Sequence, residues 1–267
     1  MKVEIWSDVV CPWCYIGKRR FEAALSQFAH RDQVEVEWKS FELDPGAPSA
    51  SASASASEDA DQDYAARLAK KYGTTRAGAQ QMLDSMTAAA ATEGLDFHFE
   101  RAVRANTFDA HQVIHLAAHL AAQRGDQRGD QRGDQRGDQR GDQDQVKERL
   151  LRAYFTEGAA VGDRASLARL AAEAGLEAAE VEKALEEQEY AEAVRADEAE
   201  AGALGVSGVP FFVVDRKYGV SGAQPPSLLL QVLERAWTES RPLTMVAADD
   251  SADPGDSGAC GPDGCAI

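Results

Sequence analysis

The chain has no apolar run near the ~20 residues that a helix needs to cross a bilayer. Positive charge is also scarce, with 28 Lys and Arg against 45 Asp and Glu, a net of −17 over 267 residues. That balance argues against nucleic acid and anionic lipid as partners, because both demand clustered cations. Its bland reading is solubility. No signal peptide is expected at the N-terminus, because Glu4 and the Ser7-Asp8 turn interrupt Met1–Trp6 too early. The expected compartment is therefore the cytoplasm. Cysteine is sparse as well: there are four, in two close pairs, Cys11/Cys14 and Cys260/Cys265, with none left over. In a reducing compartment such pairs are catalytic or metal-binding more often than static staples. What the chain does have is 44% hydrophobic residues, enough to fill a core.

Lys2–Ser7 alternates polar and apolar residues and reads as a strand. Ile16, Phe21, Ala24, Leu25 and Phe28 follow at helical spacing, and Val34–Phe41 alternates again. Strand, helix, strand of this length is a βαβ unit. Asp44-Pro45-Gly46 ends it, and the Ser-Ala alternation over 49–57 predicts a flexible loop. Helical spacing resumes over Tyr64–Tyr72, Ala77–Met86 and Asn106–Gln123. Between Arg124 and Asp142 the chain repeats Arg-Gly-Asp-Gln. Each glycine there costs a helix about 1 kcal/mol, and Arg and Asp two apart cannot pair on one, so a solvated linker is expected. Helices are expected again over Val146–Phe155, Ser166–Ala174 and Glu177–Leu204. Phe211–Val214 and Tyr218–Ser221 form a predicted hairpin, and Pro226–Glu239 a last amphipathic helix. The predicted architecture is an α/β thioredoxin fold. Residues 1–45 and 205–241 form its two halves, an all-helical insertion spans 46–204, and 242–267 is a flexible tail.

Cys11-Pro12-Trp13-Cys14 sits between a predicted strand and a predicted helix. Cys11 falls where unpaired N–H groups and the helix dipole favour a thiolate. Pro12 suits the first turn, where the N–H it lacks would be unpaired anyway. Cys14 lies one turn further in, placed to resolve a mixed disulfide. The competing reading is half of a zinc site, which would need four ligands. Val209-Pro210 precedes the apolar strand, where a cis bond would free the Val209 backbone to pair with an extended substrate beside Cys11; an ordinary trans turn is the alternative.

Ser7-Asp8-Val9-Val10-Cys11-Pro12-Trp13-Cys14-Tyr15-Ile16-Gly17 resembles the active-site segment of the DsbA-like family, and in particular its frenolicin-biosynthesis (FrnE-type) branch. Ala105–His111, Gly205–Pro210 and Ser221–Gln224 match the same family. The resemblance implies a thioredoxin fold with a helical insertion, a cis Pro210, and dithiol–disulfide exchange at Cys11 and Cys14. It also implies weak substrate-site roles for Asn106 and His111. Related 2-hydroxychromene-2-carboxylate isomerases and kappa-class glutathione transferases commonly place serine at the position of Cys11, so cysteine at both positions favours redox chemistry.

Three functions are thus in view. The first is a thiol–disulfide oxidoreductase or isomerase acting on protein or small-molecule thiols and disulfides, for which the FrnE-type resemblance implies a setting in secondary metabolism. The second is a glutathione-dependent isomerase or transferase, with glutathione as co-substrate. The third is a chaperone-like binding module. No tightly bound cofactor and no metal are expected. Pro12, Trp13, Val209 and Pro210 are the expected substrate contacts, and Trp13, Tyr15, Trp38 and Phe41 are candidates for an apolar rim. His111, His115 and His119 share a helix face without a recognisable metal motif. Cys260 and Cys265 flank a Gly-Pro-Asp-Gly turn. They read as a second redox pair exchanging with the first, an inert disulfide, or metal ligands.

Overall fold

The computed structural model describes residues 1–48, 63–127 and 143–240. The expected Ser-Ala loop, most of the Arg-Gly-Asp-Gln repeat and the tail with Cys260 and Cys265 lie outside the described residues. Four strands form one sheet in the order β2-β1-β3-β4: β1 (Lys2–Ser7), β2 (Glu35–Ser40), β3 (Phe211–Val214) and β4 (Tyr218–Ser221). β2 runs parallel to β1, while β3 and β4 are antiparallel to their neighbours. Helix α1 (Pro12–Gln27) makes the crossover from β1 to β2. The β3–β4 turn is tight because Asp215 and Arg216 both adopt positive φ, 50° and 54°.

Between β2 and β3 run seven helices among the described residues: α2 (Tyr64–Tyr72), α3 (Arg76–Thr92), α4 (Phe108–Gln127), α5 (Gln143–Arg152), α6 (Arg164–Glu173), α7 (Ala178–Glu187) and α8 (Ala191–Ala203). A last helix, α9 (Pro226–Ser240), packs on α1, β3 and β4. The central strand is buried on both faces. Val3 and Ile5 join the main core with Phe21, Phe28 and Phe212. Trp6 turns the other way, onto Ala201 of α8 and Val206.

Several boundaries differ from expectation. α3 runs six residues past Met86, through the alanine run Ala88–Ala91, which carries little hydrophobic signal but high helix propensity. α4 continues past Gln123 to Gln127, into the first repeat, because extending a formed helix is far easier than nucleating one. The expected Glu177–Leu204 helix is two, broken where Gln188 takes a left-handed φ of 52°. α5 begins at Gln143 rather than Val146. Its polar first turn hides the helix from a hydrophobic-pattern reading, yet it is built into the core. The Gln143 amide accepts from Trp38 N–H at 2.8 Å and donates to Trp38 C=O at 2.8 Å, closing the edge of β2. One turn on, Glu148 accepts from Tyr15 Oη at 2.6 Å, and Lys18 pairs with Asp144 and Glu148 at 3.1 Å each. Gln143, Asp144, Lys147 and Glu148 thus share the face that clamps α5 between β2 and α1.

Candidate active site

The chain leaves β1 through a turn in which Cys11 N–H donates to Asp8 C=O at 3.3 Å. Cys11 is the N-cap of α1, in an extended conformation (φ −95°, ψ 113°), and Pro12 opens the helix. Cys14 N–H donates back to Cys11 C=O at 3.1 Å, so the two thiols are held one turn apart. Both thiols are free; Cys11 is 4% exposed and Cys14 1%, while Trp13 between them is 40% exposed. Cys11 Sγ lies 3.5 Å from the carbonyl oxygen of Val209, to which it donates. The Val209–Pro210 bond is cis. This loop reaches α1 because residue 17 is glycine: a Cβ there would stand 2.9 Å from Pro210 Cγ.

Behind the thiols lies a buried polar cluster. Burial pushes the Cys14 thiol well above its ordinary value, helped by hydrogen bonding to Cys11. Lys147 of α5 is fully buried, with Nζ 3.3 Å from Ser7 C=O and 5.6 Å from the Trp38 ring. Burial lowers its ammonium from 10.5 to about 8, against the pull of Cys14, Asp8 and Cys11. Burial would raise Asp8, but His111, the Leu43 N–H at 2.8 Å and the charge of Lys147 hold it below the usual carboxylate range. Burial lowers His111 in turn, leaving a neutral imidazole whose Nε2 is 3.4 Å from Asp8 Oδ1. That separation is long for a hydrogen bond. Asp8 Oδ1 and His111 Nε2 have no hydrogen-bond partner at standard geometry, nor does the neighbouring Ser7 Oγ.

In front of Cys11 opens a cleft of about 870 Å³, a size typical of small-molecule sites. Of the residues expected at the site, Cys11, Pro12, Trp13 and Val209 line it. Pro210, Asn106 and His111 do not. Asn106 fastens the loop before α4, donating from Nδ2 to Pro45 C=O and accepting from Phe108 N–H. His111 sits behind the dithiol against Asp8. Of the candidate rim, only Trp13 faces the cleft: Tyr15 and Trp38 are 3% exposed in the core, and Phe41 packs against Trp6. His115 Nε2 lies 3.0 Å from both Ser40 Oγ and Asp197 Oδ2, and His119 bonds Gln123.

Lys147 was not foreseen. The signal was present: it stands four residues after Gln143 and three and four before Leu150 and Leu151, on the buried face of α5. The polar start of that helix concealed the register. Asp8 was legible only as part of a turn.

A four-stranded sheet flanked by helices, with Cys-x-x-Cys at the head of the first helix and a cis proline opposite, defines a thioredoxin-fold protein. The sequence matches the DSBA-like thioredoxin domain over residues 2–128 and 136–234, and the chain belongs to that family. A crystal structure of a probable DsbA oxidoreductase from Streptomyces coelicolor is 41% identical, covers 100% of this chain and 99% of its own, and superposes with a TM-score of 0.72. The cytosolic disulfide reductase DsbM of Pseudomonas aeruginosa, 17% identical, shares the fold (TM-score 0.55, 90% and 100% coverage). An uncharacterized Bacillus subtilis protein, YwbO, is 26% identical over 72% of this chain and 76% of its own length.

Proposed function

We propose that this DsbA-like protein catalyses dithiol–disulfide exchange with Cys11 as the attacking thiolate and Cys14 as the resolving thiol. The observation that carries the reading is the pairing of Cys11, which lines the cleft with its Sγ 3.5 Å from Val209 C=O, with Cys14, which does not line it and has the buried Lys147 amine behind it. An incoming disulfide, aligned on the Val209 backbone, is attacked by Cys11 and one thiolate leaves. Cys14 then loses its proton and attacks the Cys11 sulfur, releasing the second thiolate and leaving a Cys11–Cys14 disulfide. That second step requires a base, because burial holds the Cys14 proton on. Lys147, lowered to about 8, can accept it in its neutral form, so this step is expected to quicken as pH rises toward 8, and the ammonium then formed stabilises the thiolate. Glutathione-dependent isomerase or transferase chemistry needs only Cys11 and gives this buried base no task.

The likeness of the active-site segment to the FrnE-type branch supports a secondary-metabolite setting, with glutathione a plausible co-substrate for recycling. Cys260 and Cys265 fit a second exchanging pair. The test is insulin reduction. Cys11→Ser is expected to abolish it, and Cys14→Ser to accumulate a covalent Cys11–insulin-chain adduct visible by mass. Reduction that survives Cys11→Ser would overturn the reading.

A further inference from the structure

The cleft in front of Cys11 has a charge opposite to that of the molecule. The chain carries 45 acidic residues against 28 basic, yet among the described residues the cleft is lined by Arg67, Lys70, Lys71 and Arg104, with Asp44 the one acidic side chain. Arg104 spends part of its charge on Asp44, at 2.8 Å, and Arg67 stacks over the Tyr64 ring at 4.9 Å. Lys70 and Lys71, in the last turn of α2, are exposed and form no ion pair with a described residue. The floor is apolar, with Leu68, Met82, Met86 and the exposed rings of Trp13 and Tyr72. Two phenols, Tyr64 and Tyr154, complete the lining without a hydrogen-bond partner among the described residues. Burial pushes both above their ordinary value, so both remain donors, and Tyr64 stands near both Cys11 and Tyr154. Tyr154 comes from a π-helical turn, Ala153–Glu157, a distortion that occurs frequently at functional sites.

We propose that the substrate of the Cys11 cleft is a small anionic disulfide with an apolar or aromatic body, its acidic group held by Lys70 and Lys71. The inference rests on the dithiol reading above and adds the substrate class. A cleft of about 870 Å³ suits a compact molecule, and cations focused in a low-dielectric pocket of an otherwise acidic protein raise the local concentration of anions alone. The exchange balances as written above. The dithiol gives two electrons and is oxidised to the Cys11–Cys14 disulfide, while the substrate S–S bond breaks to two thiols that take up the protons.

The test measures second-order rates of the reduced full-length protein with 5,5′-dithiobis(2-nitrobenzoate), a dianion, and 2,2′-dithiodipyridine, which is neutral. Each rate is divided by that of 2-mercaptoethanol to remove intrinsic reactivity. The corrected ratio of dianion to neutral is expected to exceed about tenfold. In K70E/K71E, whose positions are exposed and whose fold is checked by thermal midpoint, that ratio is expected to fall at least tenfold. In 0.5 M NaCl, where the Debye length shrinks to roughly 4 Å, it is expected to fall likewise. Equal corrected rates for the two disulfides, or a ratio indifferent to both charge reversal and salt, overturn the proposal while leaving dithiol exchange intact. Failure of Cys11 to react with either disulfide overturns the exchange reading itself. A preference confined to acidic protein disulfides would transfer the cleft to a protein partner and overturn the small-molecule assignment.

Discussion

A buried lysine is costly, and Lys147 shows what the cost is for. At neutral pH it is charged in both the folded and the unfolded chain, but burial lowers its folded value from 10.5 to about 8. Each unit of such a shift is worth about 1.4 kcal/mol, so carrying the ammonium inside costs on the order of 3 kcal/mol. Between about pH 8 and 10.5 the unfolded chain holds the extra proton, so stability rises with pH across that window. Lys147→Met is expected to unfold at a higher temperature at pH 7 and to lose this alkaline slope. It is also expected to resolve mixed disulfides roughly 100-fold more slowly, without the wild-type plateau above pH 8. Rapid-quench kinetics with a preformed Cys11 mixed disulfide, set beside thermal melts, measures both. A variant that resolves at the wild-type rate would remove Lys147 from the mechanism.

At the scale of elements, α5 joins the sheet to the redox helix. Gln143 supplies β2 with the N–H and C=O partners that a further strand would have provided, and Lys147 and Glu148 carry the same face to β1 and α1. Gln143→Ala leaves two buried backbone groups of Trp38 unpaired. It is expected to destabilise the fold by about 2–4 kcal/mol, read as a lower urea midpoint. Elements of this kind are hard to read in a sequence. The sheet and α1 were legible because their cores alternate with period two or recur at helical spacing. The ends of α3, α4 and α5 were not, because alanine, a first repeat unit and a polar turn present no hydrophobic contrast. The left-handed Gln188, which divides α7 from α8, carries no glycine to announce it.

On the scale of the whole molecule, Asp197 gathers several of the contacts by which α8 is held to the sheet. Asp197 pairs with Lys39 at 2.9 Å and His115 at 3.0 Å, accepts from Ser40 N–H at 2.8 Å, and its carbonyl takes the Trp6 indole N–H at 2.9 Å. Burial would raise its carboxyl, but these donors hold it low, so its contribution is present above the unfolded value and lost as pH falls through the folded one. Asp197→Ala is expected to cost about 3–5 kcal/mol in denaturant unfolding at pH 7 and to flatten the acid limb of the stability profile. The overall topology and the candidate Cys11–Cys14 site were legible because strand, Cys-x-x-Cys and helix occur in chain order. The buried Lys147 behind Cys14 was not, because it arrives from more than 130 residues away. The proposed exchange requires Cys11 to be the thiol that meets substrate and Cys14 the one that closes on it. Equilibration in graded glutathione redox buffers, acid quenching, alkylation and peptide mass analysis test this directly. The prediction is alkylation at Cys11 but not Cys14 in the reduced protein, and a single Cys11–Cys14 disulfide as the buffer becomes oxidising. A Cys11 that stays unmodified and unpaired across the whole range would contradict it.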